Sequence, residues 1–225
     1  MSGFRNQELN LLFAKQVWEH IKKSLLICSK AMVKDALESS DFVDNHENRI
    51  RDRLVAQYLD NDDFRKRMGI DTLKLRFIPE VPENFNQEKD AFDGRTDIRV
   101  INQNYFRNGK AYHTIECKCI DGHSTLNKKY VTDGIARFVH PILYPSHYNK
   151  NFMLGFIVED INIDANSKKI EIIQQTELNG YVKDGLLHKI DSNNQYFLYS
   201  SEYNISAAES LELHHLFFDF SSIIK

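Results

Sequence analysis

Two short stretches of alternating residues constrain the fold of this chain most strongly. They are Thr96–Val100, with the sequence TDIRV, and Tyr112–Ile120, with the sequence YHTIECKCI. Side chains along a β-strand alternate between the two faces of a sheet, so Glu116 and Lys118 share one face. If the two strands pair as an antiparallel hairpin, Asp97 joins them there. The pattern therefore predicts two carboxylates and an ammonium on one face of a sheet.

Such a group of charges is not expected to serve stability alone. Burying a charge is costly unless the charge is paired or binds a metal, so the cluster indicates a metal site. A Glu-x-Lys triplet by itself carries little information, because at roughly 6% for each residue it occurs by chance about once in a chain of this length. The upstream aspartate on its own strand and the apolar alternation around the triplet make it informative.

The order of Asp97, Glu116-x-Lys118 and a following helix resembles the PD-(D/E)xK nucleases, which have the restriction-endonuclease-like fold. Thr96 stands where the name of the motif has proline, a position at which that family varies. The resemblance implies that Asp97 and Glu116 bind one or two Mg2+ ions, with Mn2+ able to substitute. The backbone carbonyl of Cys117 is a third candidate ligand. Lys118 would orient the attacking water or help to deprotonate it.

A glutamate on the first predicted core helix is a candidate auxiliary residue. Asp44 or Asn45 is expected to cap this helix, and Glu47 lies three residues before Ile50 on the inward face. Two interpretations stay open for Glu47. It would interact favourably with the helix dipole, or it would complete the catalytic cluster, because many nucleases of the resembled fold carry such a glutamate. His46 is expected at the surface.

The segment after Lys118 is predicted to be an amphipathic helix over Asn127–His140. Gly134 in its middle costs about 1 kcal/mol relative to alanine, which indicates close packing on the sheet. The basic residues Lys128, Lys129 and Arg137 are candidates for binding the phosphates of a nucleic acid. They are equally consistent with a solvated helix face.

The other predicted elements come from apolar periodicity and from breaker residues. A helical pattern covers Asn6–Ser39, either as one helix or as two. Thr72–Ile78 is predicted to be a strand that Pro79 and Pro82 end, and Phe85–Arg95 a polar loop. The remaining predictions are a turn-rich gap (Asn102–Gly109), a strand buried on both faces (Asn151–Glu159), a helix or a strand pair (Asp160–Gln175), strands around a turn (Leu186–Tyr203) and a last strand (Leu211–Phe220).

Together these elements predict an α/β protein with a restriction-endonuclease-like mixed central sheet flanked by helices. Residues 1–225 would form one nuclease domain, with an N-terminal helical extension (1–40), a catalytic core (41–160) and a C-terminal helix and strands (161–225). His214 and His215 are adjacent on a predicted strand and face opposite sides, so structural roles are favoured over a second metal site.

A cytoplasmic location is expected from the cysteines and the N-terminus. The three cysteines, Cys28, Cys117 and Cys119, have no disulfide spacing. No apolar run approaches the roughly 20 residues that span a bilayer, and Met1–Asn10 has no apolar signal-peptide core. No membrane association is therefore expected.

The preferred function at this point is a Mg2+-dependent endonuclease that hydrolyses double-stranded DNA. The helix that begins near Lys128 and the strand after it also resemble uncharacterised bacterial nucleases associated with phage defence, which implies a role in defence or restriction. The net charge of −3 neither supports nor excludes nucleic-acid binding. RNA as the substrate, and a non-catalytic subunit that binds nucleic acid or a partner protein, stay open. A homodimer and a helicase or sensor partner are assemblies consistent with this function.

Overall fold

The computed structural model describes residues 7–102, 111–140, 143–144, 148–183, 187–207 and 209–225, with side chains from residue 12 onward. The predicted turn-rich gap falls mostly on residues 103–110, and the predicted helix start at Asn6 also lies outside the described residues. The helical elements are α1 (Gln7–Ser39), α2 (Glu47–Leu54), a π-helical turn (Val55–Leu59), α3 (Asp62–Arg67), α4 (Ser124–Lys129), a π-helical segment (Tyr130–Ile135), α5 (Ala136–Val139), α6 (Ile163–Glu177) and a 3-10 turn (Ser221–Ile223).

A seven-stranded mixed sheet forms the centre of the molecule. Its strands are β1 (Leu75–Asn86), β2 (Ala91–Asn102), β3 (Tyr112–Ile120), β4 (Lys150–Ile157), β5 (His188–Ser192), β6 (Tyr196–Asn204) and β7 (Ser210–Asp219), in the order β1-β2-β3-β4-β7-β6-β5. The central strands β3, β4 and β7 are parallel, and an antiparallel hairpin flanks them on each side. The predicted mixed sheet and the antiparallel pairing of β2 with β3 are confirmed.

Helices cover both faces of this sheet. The stripe of α1 that includes Trp18 and Ile21 packs with α2 on the face that carries Ile115, Cys117 and the even-numbered apolar residues of β4. The opposite face is covered by the segment from α4 to α5 and by α6. Because β4 has a helical layer on each side, all of its residues after Lys150 are buried, as its continuous apolar sequence predicts.

The first predicted helix is a single helix, α1, in the described part of the chain. The segment from Asp160 to Gln175, for which helix and strand pair were both open, holds most of α6, which runs on to Glu177. The helix predicted over Asn127–His140 begins earlier, at Ser124, and includes a π-helical segment.

The prediction that Pro79 and Pro82 end the first strand is wrong. β1 continues through both prolines to Asn86 and pairs with β2, where Pro79 lies opposite Ile98 and Pro82 opposite Arg95. Among the described strands, β1 lies at the edge of the sheet, with β2 as its one strand neighbour. A residue without an N–H donor is tolerated at such an edge, so the predicted polar loop is instead largely the distal half of a hairpin.

The cap predicted for α2 is also wrong. His46 is the N-cap of this helix, and its Nδ1 accepts a hydrogen bond of 3.3 Å from the backbone N–H of Asn48. Histidine is outside the usual N-cap residues, which is why Asp44 and Asn45 were preferred from sequence. The cap makes Glu47 the first helical residue.

Close packing at Gly134 is confirmed by the structure. A Cβ atom at this position would lie 2.6 Å from Met153 Cε and 3.4 Å from Lys118 Cγ. The absence of a side chain at Gly134 therefore lets the helix approach β3 and β4, and it leaves room for the stem of Lys118. Among the helices in the described ranges, none is long and apolar enough to cross a membrane.

Candidate functional site

The site lies where β2 and β3 separate. Their pairing runs from the Ile101–Tyr112 pair to the Ile98–Ile115 pair and stops there. Beyond this point the side chain of Asp97, and not a backbone carbonyl of β2, is the hydrogen-bond acceptor for β3. Its Oδ2 accepts a 2.7 Å hydrogen bond from the backbone N–H of Cys117. The separation of the strands opens space for charged side chains, and this bond orients the Asp97 carboxylate beside β3.

Lys118 is at the centre of the site. Its Nζ donates hydrogen bonds to Glu116 Oε1 at 2.8 Å, to the backbone carbonyl oxygen of Cys117 at 2.7 Å and to Glu47 Oε1 at 3.1 Å. Asp97 Oδ2 is 3.8 Å from the same nitrogen. Four oxygen atoms, one from each of the other four residues of the predicted metal and catalytic cluster, therefore surround one ammonium group.

Glu47 lies on α2, which borders the site, and its side chain reaches the site from that helix. As the first residue of α2 it lies where the helix dipole favours negative charge, and its side chain is 30% exposed. The position of Glu47 fits both interpretations. The carboxylate is at a helix N-terminus, and it also contacts the lysine of the cluster.

Arg51 is a member of the site that the sequence interpretation missed. Its side chain is 3% exposed, and its Nη1 donates to Asp97 Oδ1 at 2.8 Å. The same guanidinium contacts Glu80 at 2.8 Å and Asp52 at 2.8 Å. Arg51 follows Glu47 by four residues, so the two lie on the same face of α2. This spacing was the available signal.

Arg137 is the one of the three predicted phosphate-binding residues that contacts the cluster. Its Nη1 lies 3.1 Å from Glu116 Oε1 and donates to Tyr144 Oη at 2.6 Å, while Tyr144 in turn donates to the backbone carbonyl of Arg95. Lys128 instead pairs with Glu177 at 2.9 Å, and Lys129 is exposed on α4. Tyr144 was also missed, and nothing in its sequence context pointed to it.

Burial has the largest effect on the pKa of Glu116. This residue has no exposed surface. Burial raises its pKa to about 8, the adjacent Asp97 acts in the same direction, and Lys118 and Arg137 oppose the shift. For Lys118, burial acts to lower the pKa, but the Glu116, Asp97 and Glu47 carboxylates hold it above its ordinary value. The site is therefore rich in carboxylates that interact strongly with nearby cations.

One oxygen of Glu116 has no hydrogen-bond partner among the described residues. It is Oε2, which is fully buried, while Oε1 accepts from both Lys118 and Arg137. A buried polar atom of this kind is costly unless a ligand, ion or water satisfies it. Within the described ranges, no three His, Cys, Asp or Glu side chains stand together as a ready metal-binding group. The oxygen donors nevertheless suit a hard divalent cation.

The two adjacent histidines have separate structural environments. His215 is buried and hydrogen-bonds Tyr130 and Ser201. His214 hydrogen-bonds Glu212 and packs edge-on against Trp18, with ring centroids 4.8 Å apart. The preference for structural roles over a second metal site is consistent with these contacts.

Comparison of the chain with protein-family models, with curated proteins and with solved structures gives no significant match. Any functional assignment therefore depends on the geometry of the site itself.

Proposed function

We propose that this chain is a Mg2+-dependent nuclease of the PD-(D/E)xK type, with the restriction-endonuclease-like fold, that hydrolyses phosphodiester bonds of double-stranded DNA. One observation carries the proposal. Carboxylate oxygens of Asp97, Glu116 and Glu47 and the carbonyl oxygen of Cys117 converge within 4 Å of the Lys118 ammonium. Lys118 is itself predicted to be the catalytic lysine.

The residues that would hold the metal are Asp97, Glu116 and the carbonyl of Cys117. The unpartnered Oε2 atom of Glu116 is the oxygen most in need of a ligand. Bound Mg2+ supplies charge stabilisation on the phosphate and a more acidic water molecule. Mn2+ has similar oxygen preferences and is expected to substitute.

Lys118 and Glu47 act next to that metal position. The Nζ atom of Lys118 is a hydrogen-bond donor to three oxygens in the structure, so we assign it the orientation of the attacking water through the same N–H groups. Glu47 Oε1 accepts from Nζ and limits where the ammonium can move. Burial of the cluster excludes most bulk water, which strengthens each of these interactions.

Arg137 is suited to bind the phosphate that is cut. Its guanidinium contacts Glu116 through Nη1, yet 35% of its side chain is exposed. An arginine that faces solvent beside a metal-binding carboxylate has N–H donors for phosphate oxygens. Lys128 and Lys129 precede it on the same helical segment and would contact phosphates further along the backbone.

Duplex DNA is assigned as the substrate, and two sites related by a two-fold axis would cut both strands. A homodimer, or a helicase or sensor partner that delivers DNA, fits this activity. The free cysteines Cys28, Cys117 and Cys119 are buried, which is consistent with the reducing environment of the cytoplasm. A role in bacterial defence or restriction is part of the proposal.

The test is a cleavage assay on supercoiled plasmid, linear duplex and RNA, each with Mg2+, Mn2+ or EDTA. Wild type and Glu116→Gln are compared, with Glu38→Gln as a matched control because that glutamate pairs with the surface lysine Lys34. The proposal expects metal-dependent cutting of DNA by wild type and the control, and none by Glu116→Gln. Equal cutting by Glu116→Gln, or nucleic-acid binding by folded wild type without any cutting, would contradict it.

A further inference from the structure

Lys118 satisfies its hydrogen-bonding capacity entirely within the cluster. An ammonium has three N–H donors, and Nζ makes three hydrogen bonds of 2.7, 2.8 and 3.1 Å, to Cys117 O, Glu116 and Glu47. The fourth oxygen, from Asp97, is 3.8 Å away. Three of these four oxygens, those of Asp97, Glu116 and Cys117, belong to the residues assigned to the metal.

We propose that the Lys118 ammonium is a built-in competitor for the metal position, so that divalent-cation binding must displace Nζ from the oxygens of Asp97, Glu116 and Cys117. This inference rests on the proposed function for the identity of the ligands. It goes beyond that function by assigning Lys118 a second role, the control of metal affinity, which precedes its role toward water.

The surroundings of Lys118 restrict how it can move aside. Its side chain is 8% exposed, so neighbouring residues enclose its stem. The stem therefore stays in place and displacement is a short movement of Nζ. Glu47, which lies nearer to solvent with 30% of its side chain exposed, is the partner that retains the ammonium after displacement.

If Lys118 only formed a structural ion pair, a variant without the lysine would change metal affinity in the opposite direction. If Lys118 only holds the carboxylates in position, its removal disorganises the ligands and weakens metal binding. If Lys118 competes with the metal, its removal leaves the oxygens without a cation and strengthens binding. The sign of the change in affinity separates these two roles.

The experiment is calorimetric titration of the whole chain with Mn2+ and with Mg2+. Lys118→Met removes the charge and keeps much of the apolar stem, Lys118→Arg keeps the charge, and Lys34→Met removes a surface lysine paired with Glu38. Lys118→Met is expected to bind Mn2+ at least about tenfold more tightly than wild type, since a buried ion pair worth more than about 1.4 kcal/mol no longer competes. Lys118→Arg and Lys34→Met are expected to show no gain.

Thermal unfolding gives a second readout. Mn2+ is expected to raise the midpoint of Lys118→Met more than that of wild type, because a ligand bound to the folded state stabilises it by mass action. If Lys118→Met does not fold without the ion, Lys118→Gln is measured in its place, because glutamine keeps two N–H donors without the charge.

The outcomes separate the inference from the function on which it rests. Equal or weaker Mn2+ binding by a folded Lys118→Met, with binding still lost in Glu116→Gln, would overturn the competitor role and leave the nuclease proposal standing. No binding of either ion by wild type or by Lys118→Met would overturn both.

Discussion

A buried hydrogen-bond chain around His215 leads to a quantitative prediction about pH. Tyr203 donates to Gln174 Oε1 at 2.6 Å, and Ser201 donates its only proton to Tyr203 Oη at 2.8 Å. Ser201 Oγ is 2.7 Å from His215 Nε2 and must therefore accept from it. In the neutral imidazole, His215 is therefore protonated on Nε2, and its Nδ1 accepts from Tyr130 at 2.9 Å. The chain of hydrogen bonds thus fixes which nitrogen of the neutral ring carries the proton.

Burial, with a smaller contribution from the neighbouring His214, lowers the pKa of His215 to about 3 from an ordinary value of 6.5. As the pH falls below 6.5, the unfolded chain takes up a proton at this residue and the folded chain does not. The free energy of unfolding therefore decreases through this window and stops changing below the folded pKa. Between about pH 7 and about pH 4 the loss due to His215 is about 3 kcal/mol, at about 1.36 kcal/mol for each pKa unit.

The assay is urea unfolding of wild type and His215→Gln across that pH range. Glutamine has one acceptor and one donor group, as the neutral histidine does, but it does not titrate. The decrease in stability from about pH 7 to about pH 4 should be about 3 kcal/mol smaller in the variant. The control is His123→Gln, which replaces an exposed histidine outside the buried hydrogen-bond chain. Parallel stability curves for wild type and His215→Gln would refute the reasoning.

Two further predictions concern stability. Gly155→Ala should destabilise the protein by about 1–3 kcal/mol in urea unfolding, because the new Cβ would overlap the ring of Phe217; unchanged stability would show that β7 can shift at no cost. Arg51→Met should cost about 3–5 kcal/mol because it leaves buried negative charge unpaired. Arg53→Met, on the same helix but in a surface pair, should cost less than about 1 kcal/mol, and equal losses would contradict the importance of the buried ion pair.

The centre of the fold and the charged cluster could be predicted from local pattern. Alternation along β3 places Glu116 and Lys118 on the face opposite the cysteines, and the uninterrupted apolar sequence of β4 indicates a strand covered on both sides. In these two strands the pattern of residues in the sequence agrees with the burial that the structure shows. The same is true of Gly134, where the cost of glycine in a helix indicated the close approach that the structure shows.

Position within the sheet could not be predicted in the same way. The two prolines of β1 were interpreted as a strand end, but an edge strand tolerates them, and only the completed sheet shows which strand is at the edge. The long hairpin that results brings Glu80 to Arg51. The contribution of Glu80 to the site depends on tertiary packing, and no pattern in the neighbouring sequence predicts it.

Contacts between distant residues were the other part that sequence did not supply. Arg51 has the spacing to share a face with Glu47, yet its partner Asp97 is on β2 and lies beside α2 only in the folded chain. Tyr144 reaches the site through a hydrogen bond to the backbone of Arg95, which no side-chain pattern encodes. His46 caps α2 although other residue types are preferred there.

The metal position is the central claim, and anomalous diffraction from crystals grown with Mn2+ tests it most directly. An anomalous peak is expected about 2.0–2.3 Å from oxygens of Asp97 and Glu116 and from the carbonyl oxygen of Cys117, with Lys118 Nζ moved from its 2.7 Å contact with that carbonyl. Ordered crystals with no peak at this position, while Lys118 keeps all three of its hydrogen bonds, would contradict the account.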